Sequence, residues 1–266
     1  MTNFKIFNFP LQFALSLLFS VNIAFAEVSG GFVGLEIGGG EVSAKSTMIR
    51  WKQPASLEQI ELITGFQTTY YGLIVGYKQF FNRYVGLRYY ANINALHFSL
   101  SPKGCSGNTC NNFAFFGNIA MINYGANIDF MGNFYSGESV EFGGFVGLGI
   151  GANSWVGEGL NNHKKQYLDN MNNIYQQNNN PKRFKLQRTG FDCWVNLGLR
   201  TNFATHHSIE VVARVPLLKT TLIKDKFHNY NGAKVYDIAV GDGKDYTAHT
   251  TIRNIYNLSI RYAVSF

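Results

Sequence analysis

The chain has 266 residues, a formal net charge of +7 and only 15% charged residues, with Gly (28), Phe (23) and Tyr (15) abundant. After the N-terminus no stretch reaches the roughly 18 consecutive apolar residues that a membrane-spanning helix requires. The composition therefore argues against a helical membrane protein and favours many short strands. The positive charge does not indicate a nucleic-acid partner, because the basic residues are divided between strand faces and one connection.

Residues 1–26 have the pattern of a cleaved secretory signal peptide, which leaves residues 27–266 as the mature domain. Lys5 gives the positive start, Leu11–Ile23 is the apolar run, and Ala24–Ala26 is an A-x-A cleavage site. The apolar run is short for the alternative, an N-terminal membrane anchor. We therefore expect an exported protein.

Eight later segments alternate between apolar and polar residues, which predicts strands because strand side chains alternate with period two. In chain order they are Gly31–Gly39, Thr68–Gln79, Tyr84–Ala95, Phe116–Met131, Ser139–Asn153, Thr189–Asn202, Ser208–Leu218 and Thr251–Phe266. The last has one unbroken apolar face, which is typical of the closing strand of an outer-membrane barrel and is similar to the C-terminal assembly signal of such proteins. That face carries Tyr256, Leu258, Ile260, Tyr262, Val264 and Phe266.

The connections between these strands alternate strictly between long and short. The short ones are Phe80–Arg83, Gly132–Glu138 and Phe203–His207. The long ones are Gly40–Gln67, His97–Asn112, Ser154–Arg188 and Lys219–Thr250. Gly40–Gln67 is predicted to be polar, with a short helix over Ser56–Ile63. Outer-membrane barrels have an even strand number, short periplasmic turns and long outer loops. The sequence therefore predicts an all-β, eight-stranded antiparallel up-and-down transmembrane barrel with four extracellular loops, three periplasmic turns and periplasmic termini.

Charged residues of the predicted strands collect on the polar face. They are Glu36, Lys78, Arg88, Asp129, Glu141, Asp192, Arg200, Glu210, Arg214 and Arg261. A basic residue on the lipid side near the midplane would cost about 2 to 4 kcal/mol, so the ten are predicted to form an ion-pair network in the lumen. Eight strands leave an interior just wide enough for side chains, which favours a plugged barrel. The alternative is a narrow water path along the inward glycines of the fifth strand.

The three cysteines are expected to behave differently. Cys105 and Cys110 flank a Gly-Asn turn in an exported protein, which favours a disulfide at a loop tip, with two free thiols as the alternative. Cys193 has no partner and is interpreted as a small apolar filler.

The connection after the fifth strand is the most basic part of the chain. Its positive residues are Lys164, Lys165, Lys182, Arg183, Lys185 and Arg188. Tyr167, Met171, Ile174 and Tyr175 recur at helical spacing and predict a short amphipathic helix. One hypothesis is that this loop binds sugar phosphates of lipopolysaccharide or an acidic host glycan; the other is a solvated loop whose helix covers the barrel mouth.

Catalytic, metal and cofactor sites are not predicted. His97 and Ser99 end the third strand and His249 lies in the last loop, but nothing in the sequence brings them together. His206 and His207 fall in a predicted turn and are expected to be exposed. Gly38–Gly40 lacks the G-K-[ST] that a phosphate loop requires.

Several strand motifs occur together and in order. They are G-Y-K-Q-F-F at Gly76–Phe81, G-L-R-Y-Y at Gly86–Tyr90, F-G-G-F-V-G-L-G-I-G-A-N-S-W at Phe142–Trp155, and N-L-G-L-R-T-N-F at Asn196–Phe203 followed by H-S-I-E-V-V-A-R-V-P-L-L. In this the chain resembles the Helicobacter outer-membrane protein family, the Hop and Hor proteins. The resemblance implies an eight-stranded barrel inserted by the Bam assembly machinery. It also implies two classes of function, adhesion and pore formation.

The chain departs from the large adhesins of that family, which carry an extensive extracellular domain after the first strand where this chain has only Gly40–Gln67. We therefore expect a structural or surface-interaction barrel in contact with outer-membrane lipid and lipopolysaccharide, and with a host glycan or protein as a further candidate partner. A narrow porin is the alternative, and a lipid-A-modifying enzyme is a remote one.

Overall fold

The computed structural model describes residues 29–52, 56–100, 117–137, 140–163, 169, 172–173, 184–204, 206–225 and 245–266. Its strands are β1 Gly30–Lys52, β2 Ser56–Phe80, β3 Val85–Leu100, β4 Gly117–Ser136, β5 Val140–Val156, β6 Phe184–Leu186, β7 Thr189–Phe203, β8 His207–Pro216, β9 Thr220–Asp225 and β10 Asp245–Ser265. One short helix, α1, spans Glu158–His163. Among the described residues no helix is long and apolar enough to span a membrane.

Eight of the strands close into an antiparallel barrel. The order is β1-β2-β3-β4-β5-β7-β8-β10, and β10 returns to pair with β1 over its whole length, from Phe32↔Ser265 to Arg50↔Asp245. The short strands β9 and β6 add to β10 beyond the point where β8 stops. All three short turns lie at one end, called here the turn end, and the longer connections lie at the opposite end, the loop end.

The outer surface in the middle of the barrel is a continuous apolar band. Leu35, Leu73, Leu148, Leu199 and Leu258 are each about half exposed or more on the outward face of their strands. Aromatic side chains border the band at both ends, with Tyr71, Tyr124, Phe191 and Tyr256 towards the loop end and Tyr77, Tyr135, Phe142 and Phe266 towards the turn end. Such a band with two aromatic girdles is the surface that an outer-membrane barrel presents to lipid.

The polarity of the inward and outward strand faces inverts towards the loop end. Within the band, β3 and β4 point Asn92 and Asn123 inwards, whereas a few residues further on the same strands point Phe98 and Ile119 inwards. Most of the described outward positions there are polar, as at Gln67, Thr69 and His97, although Ile63 is also exposed. An apolar interior with a polar exterior is the pattern of a water-soluble barrel, so the inversion marks where the strands leave the bilayer.

The prediction of a polar connection with a helix over Ser56–Ile63 was wrong. β1 and β2 pair without interruption as far as Lys52↔Ser56, which makes the segment a long antiparallel hairpin. β10 pairs with the other edge of β1 as far as Arg50. Pairing on both edges satisfies the backbone of β1 beyond the bilayer, and a short helix could not offer this.

Two other connections also contain strands that were not predicted. Lys219–Thr250 holds β9 and the start of β10, and Ser154–Arg188 holds the end of β5, α1 and β6. β4 likewise continues through most of the expected turn to Ser136. The predicted helix of Tyr167, Met171, Ile174 and Tyr175 lies outside the described residues, as do the signal peptide and the Cys105–Cys110 pair.

Candidate functional site in the barrel interior

All ten charged residues placed on the polar face by the alternation are buried in the interior, and five of them form a continuous chain of ion pairs. Arg88 donates to Asp129 at 2.7 Å and to Glu210 at 2.6 Å. Arg261 pairs with the other oxygen of Glu210 at 2.9 Å and with Glu36. Each arginine therefore bridges two carboxylates across the lumen.

The chain continues from Glu36 through a tyrosine to a third arginine. The Tyr70 hydroxyl donates to Glu36 at 2.7 Å, and Nη1 of Arg214 donates to the same hydroxyl oxygen at 2.9 Å. Nε of Arg214 donates to Asn196 at 3.0 Å. A guanidinium can occupy such a low-dielectric interior because its planar fork satisfies several acceptors at once.

Aromatic rings line the arginine layer. The Arg88 guanidinium lies 4.5 Å from the centroid of Phe145, and those of Arg261 and Arg214 lie 5.2 Å from Tyr90 and 5.4 Å from Trp194. Cations at this distance from a ring face are attracted by its quadrupole. The rings therefore fill the space between the charged groups.

A cluster of buried asparagines forms the next layer towards the loop end. Asn123 accepts from Asn92 and donates to Asn153, both at 2.8 Å, and Asn153 donates to Asp192 at 2.6 Å. Asn127 accepts from Trp194 at 2.6 Å. This layer was not predicted from the sequence, although its asparagines lie on the same inward strand faces as the charged residues, and that position was the available signal.

The remaining predicted charges lie in the interior but outside the central chain. Glu141 accepts from Ser136 at 2.9 Å, near the turn end. Arg200 donates to Asn133 at 2.7 Å and packs over Phe80. Lys78 is buried next to Arg88 in the neighbouring strand.

Inward glycines provide the room for these large side chains. A methyl group at Gly149 would overlap the Trp194 indole nitrogen, and one at Gly147 would overlap the Asp129 carboxylate. The glycines of β5 therefore accommodate side chains from neighbouring strands rather than lining an open path. Unequal residues interdigitate, as close packing of an eight-stranded interior requires.

An apolar cluster, called here the outer cluster, closes the interior at the loop end. Its buried members are Val42, Tyr70, Leu96, Phe98, Ile119, Met121, Trp155, Leu160, Leu222, Ile223 and Ile252. Leu160 of α1 and Leu222 of β9 come from the segments beyond the barrel ladder, and both are fully buried. The cluster thus seals the lumen with side chains from six barrel strands, a helix and an added strand.

Other residues considered from the sequence are dispersed. His97 points outwards on β3, and nothing is described for the side chains of Ser99 and His249. His207 was expected to be exposed, but it is only partly so, because it stacks between Phe203 and Tyr262 at the start of β8. Cys193 is a free thiol on the outer face of β7.

The basic connection is described only in part. Lys185 is exposed on β6, and Arg188 donates to Asn161 at 2.7 Å. Lys164, Lys165, Lys182 and Arg183 lie outside the described residues. Within the described part of the chain no group of three or more His, Cys, Asp or Glu side chains could hold a metal ion.

Comparison with a known family identifies the barrel. The family model of the Helicobacter outer membrane protein matches residues 72–266. This chain belongs to the Helicobacter outer membrane protein family. Since that match covers the last third of β2 and every strand after it, the Helicobacter-type barrel described above is a bacterial outer-membrane protein. No curated protein is significantly similar to it in sequence.

Solved structures of other outer-membrane proteins are similar to this Helicobacter family member at low sequence identity. OprG from Pseudomonas aeruginosa is 15% identical, with 91% of this chain and 98% of that chain covered and a TM-score of 0.46. The outer membrane enzyme PagL is 10% identical over 85% and 99% of the two chains, with a TM-score of 0.33. Ail of Yersinia pestis, in complex with a heparin analogue, is 11% identical over 89% and 99%, with a TM-score of 0.35.

Proposed function

We propose that this outer-membrane barrel is a non-conducting, non-catalytic surface protein that interacts through its loop end. One observation carries the proposal: the interior is filled with side chains from the arginine layer to the outer cluster. Asp129, Arg261, Trp155 and Leu160 each have no accessible surface. A water-filled channel would leave its lining accessible, so the surface, not the lumen, is where a partner would bind.

The loop end is proposed to face the cell exterior, with both termini in the periplasm. The three short turns, the start of β1 and the C-terminal residue Phe266 share one end, as in outer-membrane barrels with short periplasmic turns. The loop end also carries a long protruding element, the β1–β2 hairpin. Its strands continue past the outer cluster to Lys52 and Ser56.

A narrow porin is the competing function, and the inward glycines of β5 are the feature that would favour it. Those glycines face Trp194, Asn127 and Asp129 at contact distance. The experiment that separates the two is single-channel recording of the refolded protein in a planar bilayer, with Arg88→Ala alongside the natural sequence. We expect no stable openings from the natural sequence, whereas stable openings would make it a porin.

The binding chemistry at the loop end is proposed to be anionic sugar recognition by the basic connection between β5 and β7. Exposed Lys185 on β6, held next to the barrel through pairing with β9, supports this. Lysine and arginine attract phosphate or sulfate groups through charge-assisted hydrogen bonds. The partner would be the polysaccharide of lipopolysaccharide or an acidic host glycan.

The test is the affinity of the refolded protein for purified lipopolysaccharide polysaccharide and for heparin, used as a sulfated-glycan probe. The variant replaces Lys182, Arg183 and Lys185 with Gln, and Arg83→Gln at the turn end is the matched control. We expect weaker binding of at least one probe by the triple variant only. Equal affinities for both probes would leave the connection as a solvated loop.

A further inference from the structure

Three basic side chains cluster on the outward face at the loop end, on β1, β10 and the segment that joins β8 to β9. They are Lys45, Lys219 and Arg253, and are called here the rim cluster. Thr220 pairs with Ile252 in antiparallel register, so Lys219 stands opposite Arg253 one position further along. Both of these side chains are exposed.

The β1 register adds the third cation. Ser43 pairs with Arg253 and Lys45 with Thr251, so Lys45 lies on the outward face two positions from the row of Arg253. The carboxylate of Glu41 also belongs to this face, but it lies over Gly65 of β2, on the side away from β10. The described charges that point outwards between β1 and β9 are therefore positive. The carboxylate of Asp192, which interacts electrostatically with Arg253, is buried on the inward side.

The rim cluster lies at the boundary where the polarity of the inward and outward strand faces inverts. Ile252 points into the outer cluster, Arg253 points outwards, and Tyr256 lies in the aromatic girdle three residues below. Leu217 and Leu218, immediately before Lys219, are 48% and 40% exposed. Cations therefore adjoin apolar surface that faces lipid, the arrangement expected where headgroups meet acyl chains.

Within the part of the chain that the structure describes, Arg253 makes one hydrogen bond, from Nη2 to the Pro216 carbonyl at 3.3 Å. This bond draws the guanidinium towards the segment that carries Lys219. A guanidinium has five N–H donors, so donors remain for phosphate oxygens after this bond. A planar fork beside a lysine ammonium suits a phosphate monoester at a membrane surface.

We propose that the rim cluster binds a phosphate group of an outer-leaflet glycolipid, the lipid A part of lipopolysaccharide, with an acyl chain lying against Leu217, Leu218 and Tyr256. This inference rests on the proposed function, since it requires the loop end to face the outer leaflet. It concerns a site distinct from the basic connection between β5 and β7. The glycolipid would be held from the side of the barrel rather than at its mouth.

The experiment measures binding of phosphorylated lipid A and of dephosphorylated lipid A to the refolded full-length protein in detergent micelles. The test variant is Lys219→Gln/Arg253→Gln, and Arg83→Gln is the control for loss of one exposed cation elsewhere. We expect affinity for phosphorylated lipid A to fall about thirtyfold in the double variant, from the loss of two surface cations. The affinity for dephosphorylated lipid A should be the same in all three proteins.

Two results would overturn the inference. One is an unchanged affinity of the double variant for phosphorylated lipid A while heat-modifiable mobility on a gel shows that it is folded. The other is full competition by millimolar inorganic phosphate, which would make the cluster a site for free phosphate. Replacing Lys182, Arg183 and Lys185 tests the proposed glycan loop separately, because those residues should not change lipid A affinity.

Discussion

At the scale of single residues, the interior depends on arginines that each satisfy two carboxylates. Arg261 is fully buried and pairs with Glu36 and Glu210, so its removal breaks the ion pair of Glu36 and one of the two ion pairs of Glu210 in the low-dielectric lumen. We expect Arg261→Met to destabilise the barrel by about 3 to 5 kcal/mol, the cost of breaking a buried pair. Reversible urea unfolding in phospholipid vesicles, followed by tryptophan fluorescence, measures this change.

The same strand offers a matched control for that substitution. Arg253 is exposed and makes one described hydrogen bond, to a backbone carbonyl, so Arg253→Gln should change the free energy of unfolding by less than about 1 kcal/mol. Equal costs for the two substitutions would mean that the buried ion pairs do not stabilise the barrel.

Glycine positions give a second residue-scale prediction. A methyl group at Gly149 would overlap Trp194 and Asn127, whereas one at Gly132 would meet nothing within 4 Å. Gly149→Ala should therefore cost about 1 to 3 kcal/mol through overpacking, and Gly132→Ala about 0.5 kcal/mol or less. The same unfolding assay compares them, and a tolerated Gly149→Ala would indicate unfilled space beside Trp194.

At the scale of elements, the eight strands follow from period-two alternation because one face of each meets lipid. That signal fails where the strands leave the bilayer, because the inward residues become apolar there and the outward residues become mostly polar. Around Gly40 the pattern has no long alternating run, and the short apolar spacing of Ser56–Ile63 fitted a helix equally well. Only pairing with β2 and β10, which is not local in sequence, decides that the segment is strand.

The candidate site, like the strands, could be predicted from the sequence only in part. Alternation assigns Glu36, Arg88 and Glu210 to one face, but it does not say which of them meet across the lumen. That depends on strand tilt and register around the closed barrel. The Asn92–Asn123–Asn153 layer was not predicted. The prediction used the high cost of exposing a charged side chain to lipid, and that criterion does not apply to uncharged asparagines.

The outer cluster is an element-scale feature with its own test. Leu160 of α1 is fully buried in it, so Leu160→Ala should cost about 2 to 5 kcal/mol. The loss should be local, with faster amide exchange in α1, β9 and the loop-end part of β1 and unchanged exchange within the apolar band. Ile63→Ala, at an exposed position on β2, is the control; uniform loss of protection along whole strands would contradict a separate outer cluster.

At the scale of the whole molecule, the barrel has two zones with opposite polarity. The bilayer zone is apolar outside and charged inside, and the loop-end zone is apolar inside and mostly polar outside. This division predicts which end reaches the cell surface. An epitope inserted at residues 53–55, between β1 and β2, should be detected on intact cells, whereas one inserted in the Phe81–Tyr84 turn should require permeabilised cells. The reverse pattern would contradict the proposed orientation.

A closed lumen excludes transport through the barrel and leaves its surface as the place of function. Arg88, Glu210 and Arg261 bridge the interior, and the outer cluster seals it above them. Single-channel recording of the refolded natural sequence in a planar bilayer tests this most directly. We expect a silent bilayer from protein whose folding is verified by heat-modifiable mobility, and stable, reproducible openings from the same preparation would contradict the closed lumen.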